Sequence, residues 1–260
     1  MPNHAAPPRS RLPAAMLGQL ALPVIAAPIF LVSGPALVEA ACRAAIVEAV
    51  HGYGGLVFAD VNTPEYAAKA ARFGVDGLVL VCAGAGGHTG QIAAPAFVAS
   101  VREFFDGIIV VAGAMSTGSA VRSAQILDAD LVHMGTRFIA TDESLAVPDY
   151  KQMIIESASH DIVCTNAITG ARANKLRPSL VHAGLDPDHL KPRQGGFDLT
   201  RGEEEGKAWK DLWSAGQCVG QVKAIEPVSR VVERLQAEYA QALDAELADP
   251  WMQRHRGLAC

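Results

Sequence analysis

Five short runs rich in Val, Ile and Leu recur along this chain, Val24 to Phe30, Leu56 to Val61, Gly77 to Ala83, Ile108 to Ala114 and Leu131 to Phe138. They are apolar at nearly every position and not at every second one, which suits strands buried on both faces of a sheet. Val57, Val79, Val110 and Val132 occupy comparable points of successive runs, about 22 to 31 residues apart, near the length of one parallel βα unit. The segments Pro35 to Val50, Thr63 to Phe73, Ala94 to Phe105 and Ser119 to Leu127 carry helical character between them. Asn62-Thr63-Pro64 and Ser33-Gly34-Pro35 each supply a short polar cap and a proline suited to the first turn. The pattern predicts an α/β fold of the TIM-barrel kind, built on about five parallel strands.

With 50% hydrophobic and 19% charged residues, the chain is apolar enough to build such a sheet. The stretch Leu20 to Val32 is broken by Pro23 and Pro28 and, at about 13 residues, falls short of the roughly 20 needed to span a bilayer. Met1 to Met16 lacks the apolar core of a secretory signal, so a cytoplasmic protein is expected, without a membrane partner. A net charge of −5 with no basic block argues against nucleic acid and for a small-molecule ligand. Cys42, Cys82, Cys164, Cys218 and Cys260 form no C-x-x-C pair and no metal-binding pattern, so they read as reduced packing residues. The expected organisation is a flexible segment over residues 1–19 and one domain over 20–260. Within it, Leu185 to Gly206, rich in Pro, Gly, Asp and Lys, forms a loop or lid. Val228, Val231, Val232 and Leu235 predict a final amphipathic helix over Pro227 to Tyr239 that serves packing or dimerisation.

The chemistry concentrates at strand ends. The third run continues into Gly84-Ala85-Gly86-Gly87-His88-Thr89-Gly90, four glycines around one histidine. Glycine lets backbone approach a planar ligand without a Cβ in the way, and the C-terminal ends of parallel strands are where such folds place their sites. A tight turn with a solvated histidine is the commoner meaning of a short glycine–histidine segment, but the strand context here favours a site. His88 could then take up a carbon-bound proton or donate a hydrogen bond to a developing anion. The next two runs end in Ala112-Gly113-Ala114-Met115-Ser116-Thr117-Gly118 and Met134-Gly135-Thr136-Arg137, adjacent loops whose amides suit a phosphate cradle, or ordinary turns. Ala26-Ala27-Pro28 could lie flat against a ring, or simply end a strand. Trp209 and Trp213, four apart, share a face if the segment is helical, and Gln217 follows Gly216 within reach of a ligand edge.

Taken together, Ala27-Pro28-Ile29, Ala85 to Gly90, Val111 to Ala114, Met134 to Phe138 and Ser214 to Gln217 resemble the nitronate monooxygenase family, whose flavin-binding barrel is shared with a flavin-dependent enoyl-acyl-carrier-protein reductase. The resemblance implies a non-covalent FMN: Ala27 and Pro28 near its ring, Gly86 and Gly87 beside it, Gly113, Ala114, Gly135 and Thr136 at its phosphate, and Gln217 at its edge. It makes His88 the catalytic residue and implies oxidation of a nitronate by oxygen to a carbonyl compound and nitrite, with no metal. The passage from Ala45-Ile46-Val47 almost directly to His51-Gly52-Tyr53-Gly54-Gly55 leaves no room for barrel strands two to four. The open edges then call for a homodimer, cover by the C-terminal region, or an open sheet. An NAD(P)H-dependent flavin reductase and a non-catalytic remnant are the competing expectations.

Overall fold

A computed structural model of the chain describes residues 11–13, 16, 20, 22–26, 46–52, 54–193 and 212–257. Strands β1 (Val24–Ala26), β2 (Phe58–Val61) and β3 (Gly77–Val81) are followed by a short β4 (Gly87–His88), then β5 (Ile108–Ala112) and β6 (Leu131–Met134). All but β4 form one sheet in the order β1-β6-β5-β3-β2, with every pairing parallel. This is the five-stranded α/β arrangement expected. Among the described residues the barrel does not close: β1 and β2 lie at the two ends of the sheet and each pairs with one neighbour.

The strands stop short of the apolar runs because the backbone leaves the β region there. Gly84 has φ 91°, Gly113 φ 124° and Ala114 φ 56°, so the last residues of two runs are loop. The valine register holds in part. Val79 and Val110 are partners, but Val110 faces Leu131 across the next pair, so Val132 is one residue out of step and points to the other side of the sheet.

Helices α1 (Ile46–His51), α2 (Pro64–Arg72), α3 (Ala94–Arg102) and α4 (Gly118–Ile126) alternate with the strands. Thr63 caps α2 by accepting from the Tyr66 amide at 3.2 Å, and Thr117 caps α4 by accepting from Ala120 at 3.1 Å. Leu78, Leu80, Ile109, Val111, Val132 and Met134 pack outward against buried residues of these helices, among them Phe97, Val98, Val101 and Val121. The other face carries Val79, Ile108, Val110, Ala112 and Leu131, against which Leu12 from the N-terminal segment is buried. At the N-terminal ends of the strands, the buried Asp130 carboxylate accepts from the Ile109 amide, the Arg11 amide and Arg102. That end is tied for stability and leaves the opposite end for chemistry.

After β6 come α5 (Thr136–Ile139), α6 (Pro148–Glu156), β7 (Ile162–Thr165), β8 (Ala173–Leu176) and α7 (Arg177–His182). β7 and β8 pair antiparallel, and β4 joins them in a three-stranded sheet, β4-β8-β7, which the sequence reading did not anticipate. The predicted last helix is α8 (Val228–Ala248), which ends nine residues beyond the expected Tyr239 and is followed by α9 (Pro250–Gly257). It packs across α4 where Gly118 has no side chain; a Cβ there would lie 2.2 Å from the Tyr239 amide nitrogen. The helix expected around Trp213 is not formed over Leu212 to Gly216, and Trp209 lies outside the described residues. Trp213 instead stacks on Tyr150, with ring centres 5.0 Å apart. Of the expected lid, residues 185–193 are described and carry the paired contacts of Arg177 with Asp188.

Candidate active site

The loops after β3, β5 and β6 meet at the C-terminal end of the parallel sheet, and a fourth segment, Ser214 to Gln217, is stitched into them. The Gln217 amide donates to the Gly84 carbonyl at 3.0 Å, and the Gly216 amide donates to Thr136 Oγ1 at 2.8 Å. Tyr150 holds the segment from behind through its stack on Trp213 and a hydrogen bond from its hydroxyl to the Ser214 carbonyl. The packing is backbone on backbone. A Cβ on Gly86 would sit 2.7 Å from the Gly216 nitrogen, and one on Gly216 would sit 2.7 Å from the Gly84 oxygen. Any side chain at either position would part the loops.

Gly113 meets the same junction, since a Cβ there would approach the Ala85 nitrogen at 3.0 Å. Ala114 follows, exposed and in the left-handed region at φ 56°, a conformation that costs a non-glycine residue on the order of 1 kcal/mol. Gly87 differs from Gly86: its φ of 73° requires glycine, while the space where a Cβ would point is open. Gly86, Ala114 and Gln217 form the exposed part of this floor, Gly135 is half-buried and Thr136 is buried. The structure thus brings together Gly86, Gly87, His88, Gly113, Ala114, Gly135, Thr136 and Gln217. Ala27 and Pro28 lie outside the described residues.

His88 is placed by the small sheet. Gly87 pairs with Asn174 and His88 with Ala173, and the buried Asn174 side chain donates to the Ala85 carbonyl at 2.7 Å, fastening β8 to the glycine loop. The Thr89 amide donates to the Arg172 carbonyl, and the Thr89 hydroxyl to the Cys82 carbonyl. His88 Nε2 lies 3.2 Å from Thr169 Oγ1. Burial pushes the His88 imidazole down to about 4, and the Lys175 ammonium acts in the same direction. At neutral pH it is uncharged, with one ring nitrogen able to donate and one to accept. Lys175, 1% exposed, donates from Nζ to the Leu212 carbonyl at 2.9 Å and is itself brought down to about 8 by burial.

A phosphorylated planar cofactor fits these residues. The Ser116 hydroxyl, in the loop after β5, is buried without a hydrogen-bond partner and faces the Cys218 thiol, a weak acceptor. An orphaned buried hydroxyl costs stability that a phosphate oxygen beside it would restore. The open, side-chain-free surface over Gly86 and Gly87 suits the ring. Asn174, Lys175, Thr169 and Tyr150 were not among the residues singled out from the sequence, whereas Ser116 lies in the loop offered there as a phosphate cradle. Two adjacent polar residues in a short strand gave the only hint of the first two. Among the described residues no group of His, Cys, Asp and Glu could hold a metal.

A half-open parallel α/β sheet with glycine loops and a histidine at its strand ends has the arrangement of a TIM-barrel-like fold. Residues 36–238 match the sequence profile described as nitronate monooxygenase, and the chain belongs to that family of flavin oxidoreductases. A nitronate monooxygenase of Paraburkholderia phytofirmans is 24% identical over 260 residues, covering 93% of this chain and 71% of the relative. A (3aS,4S,5R,7aS)-5-hydroxy-7a-methyl-1-oxo-octahydro-1H-indene-4-carboxyl-CoA dehydrogenase of Rhodococcus jostii is 28% identical over 130 residues, 50% of this chain and 37% of the relative. Among solved structures, FabK from Thermotoga maritima aligns with a TM-score of 0.64 and 26% identity, covering 85% of this chain and 76% of that one. The nitroalkane oxidase of Streptomyces ansochromogenes aligns with a TM-score of 0.57 and 28% identity, covering 89% and 68%. The chain spans about two fifths of the length of several curated relatives it matches. No helix among the described residues is long and apolar enough to cross a membrane.

Proposed function

We propose that this protein binds FMN and oxidises nitronates with oxygen, giving a carbonyl compound and nitrite. The observation that carries the reading is the meeting of the Gly84 to His88 loop, the Gly113-Ala114 loop, Thr136 and Gly216-Gln217 at one sheet end, with a histidine held uncharged beside them. FMN supplies the two-electron chemistry with the substrate and with oxygen. Gly86 and Gly87 offer backbone to its ring, while Gly113, Ala114, Ser116, Gly135 and Thr136 would hold its phosphate and Gln217 would reach its edge.

His88 fixes which form of substrate the site takes. An imidazole brought down to about 4 is a weak base, poorly matched to removing a proton from a neutral nitroalkane. It is better matched to a nitronate, already an anion, to which the ring Nδ1–H can donate when the Thr169 hydroxyl turns from the Ala171 carbonyl to give its proton to Nε2. As charge leaves the substrate, a neutral donor needs no rearrangement of solvent. The cover that Lys175 and β8 give the ring keeps bulk water from competing for it.

Purified protein should show a flavin spectrum near one equivalent per chain, and ethyl nitronate should drive oxygen uptake with release of nitrite. His88→Ala should keep the flavin and lose most turnover, and a colourless protein that takes up no added FMN would sink the reading. The likeness to FabK favours a second reading, an NAD(P)H-dependent flavin reductase of the enoyl-thioester type. Oxidation of NADH or NADPH without any nitro compound would select it. A homodimer covering the ends of the open sheet completes the proposal, and sedimentation of a compact, stable monomer would refute that part.

A further inference from the structure

We propose that Lys175 is a positioning residue for His88, its fixed ammonium extending to lower pH the range over which the imidazole meets the substrate uncharged. The inference rests on the reading of His88 as the group that touches substrate. It adds a second residue, from a different strand, to that group's function.

The argument begins with register. His88 pairs with Ala173 across the antiparallel β4–β8 ladder and Gly87 pairs with Asn174. Side chains alternate along a strand, so Ala173 and Lys175 project from the face that carries His88, while Asn174 points to the opposite face and fastens the glycine loop. Ala173 contributes only a methyl group. The diagonal neighbour Lys175 is therefore the first charged side chain on that face, at a cross-strand diagonal of about 7 Å. The lysine cannot carry its charge away into solvent: the residue is 1% exposed, and its Nζ is held on the Leu212 carbonyl at 2.9 Å.

At a charge separation of the order of that diagonal spacing and an effective dielectric near 20, a unit charge disfavours the imidazolium by between about one and two pH units; burial is the larger cause. Of the described residues Thr169, Arg172 and Arg193, none carries a negative charge toward the ring. Thr169, from the loop before β8, is neutral. Arg172 in the same loop is exposed, and Arg193, beyond α7, places its guanidinium on the Ile168 carbonyl at 3.0 Å. Both are cationic as well. Burial and Lys175 push the ring in one direction and bring it to about 4.

The test reads His88 itself, without turnover. Ring resonances of the full-length protein, with His88 assigned through its loss in His88→Ala, are followed by NMR against pH in wild type, Lys175→Met and Lys175→Arg. Lys175→Met should raise the His88 midpoint by about one pH unit or more, and Lys175→Arg should leave it low. A midpoint unchanged in folded Lys175→Met would overturn the proposal and assign the whole effect to burial. Should Lys175→Met fail to fold, wild type still decides: deprotonation of Lys175 near pH 8 should appear as a second inflection in the His88 shifts, and its absence overturns the proposal. The acid limb of nitronate turnover should follow the NMR midpoint. If the midpoint moves and the limb does not, Lys175 acts on His88 as stated, and it is the catalytic reading of His88 that falls.

Discussion

Replacing Thr136 by Val tests how much one buried hydrogen bond contributes to holding the fourth loop on the sheet. Thr136 Oγ1 accepts from the Gly216 amide at 2.8 Å in a buried setting, and Val keeps the shape while removing the acceptor. A buried amide left without a partner costs about 1–3 kcal/mol, and the added methyl returns less than 1 kcal/mol of apolar burial. The net loss of about 1–2 kcal/mol should lower the urea midpoint by about 0.5–1 M. Thr136→Ser keeps the hydroxyl and gives up one methyl, so its loss should be the smaller of the two and its FMN affinity near wild type. Thr136→Val should also weaken FMN binding, because the Gly216-Gln217 edge and the hydroxyl at the phosphate are lost together. Equilibrium urea unfolding, flavin titration and hydrogen exchange at Gly216 read the three effects. Equal midpoints for the Val and Ser variants, with unchanged protection of the Gly216 amide, would show that the loop is held by something other than this bond.

Gly86→Ala should part the loops, since the new methyl would lie 2.7 Å from the Gly216 nitrogen; flavin retention should fall by at least tenfold while far-ultraviolet circular dichroism stays native. Gly118→Ala sets a methyl 2.2 Å from the Tyr239 nitrogen and 2.4 Å from the Leu235 oxygen, and should destabilise the α4–α8 crossing by about 2–3 kcal/mol in thermal or urea unfolding, more than any surface Gly→Ala change. The lowered His88 pKa also has a stability consequence. The unfolded chain takes up its proton near 6.5 and the folded chain near 4, so stability is full above about pH 6.5 and falls as the pH drops toward 4, by up to about 3 kcal/mol. His88→Gln should flatten that part of the profile in urea midpoints measured from pH 7 to 4.5.

The parallel sheet was legible because its signal is redundant. Leu78, Leu80, Ile109 and Val111 face helices while Val79 and Val110 face inward, so every position of β3 and β5 must be apolar and a contiguous run results. The region from Ile162 to Leu176 gave no such signal. β8 reads Ala-Asn-Lys-Leu with all four residues buried, and its polar members are buried because Asn174 grips the Ala85 carbonyl and Lys175 the Leu212 carbonyl. Hydrophobic periodicity cannot find a strand whose buried positions are filled by groups chosen for their partners.

The same distinction divides the candidate site. Gly86 and Gly113 could be found from the sequence because a close backbone approach admits no other residue, and Gly87 because its φ of 73° favours glycine. What lies opposite Gly86 is set by a chain segment more than a hundred residues away, and the thread of bonds from Thr136 to Gly216 and from Gln217 to Gly84 exists only in three dimensions. The histidine follows this rule too. Its position among four glycines pointed to a strand-end site, but its protonation state comes from the depth of the small sheet and from a lysine on a strand that the sequence did not reveal. The glycines therefore specify where a planar ligand can lie, and β8 specifies the charge state of the group that meets it. The glycine loops end strands of the parallel sheet, while the surroundings of the histidine are built by the separate β4-β8-β7 sheet, so the two elements come from different layers of the described structure.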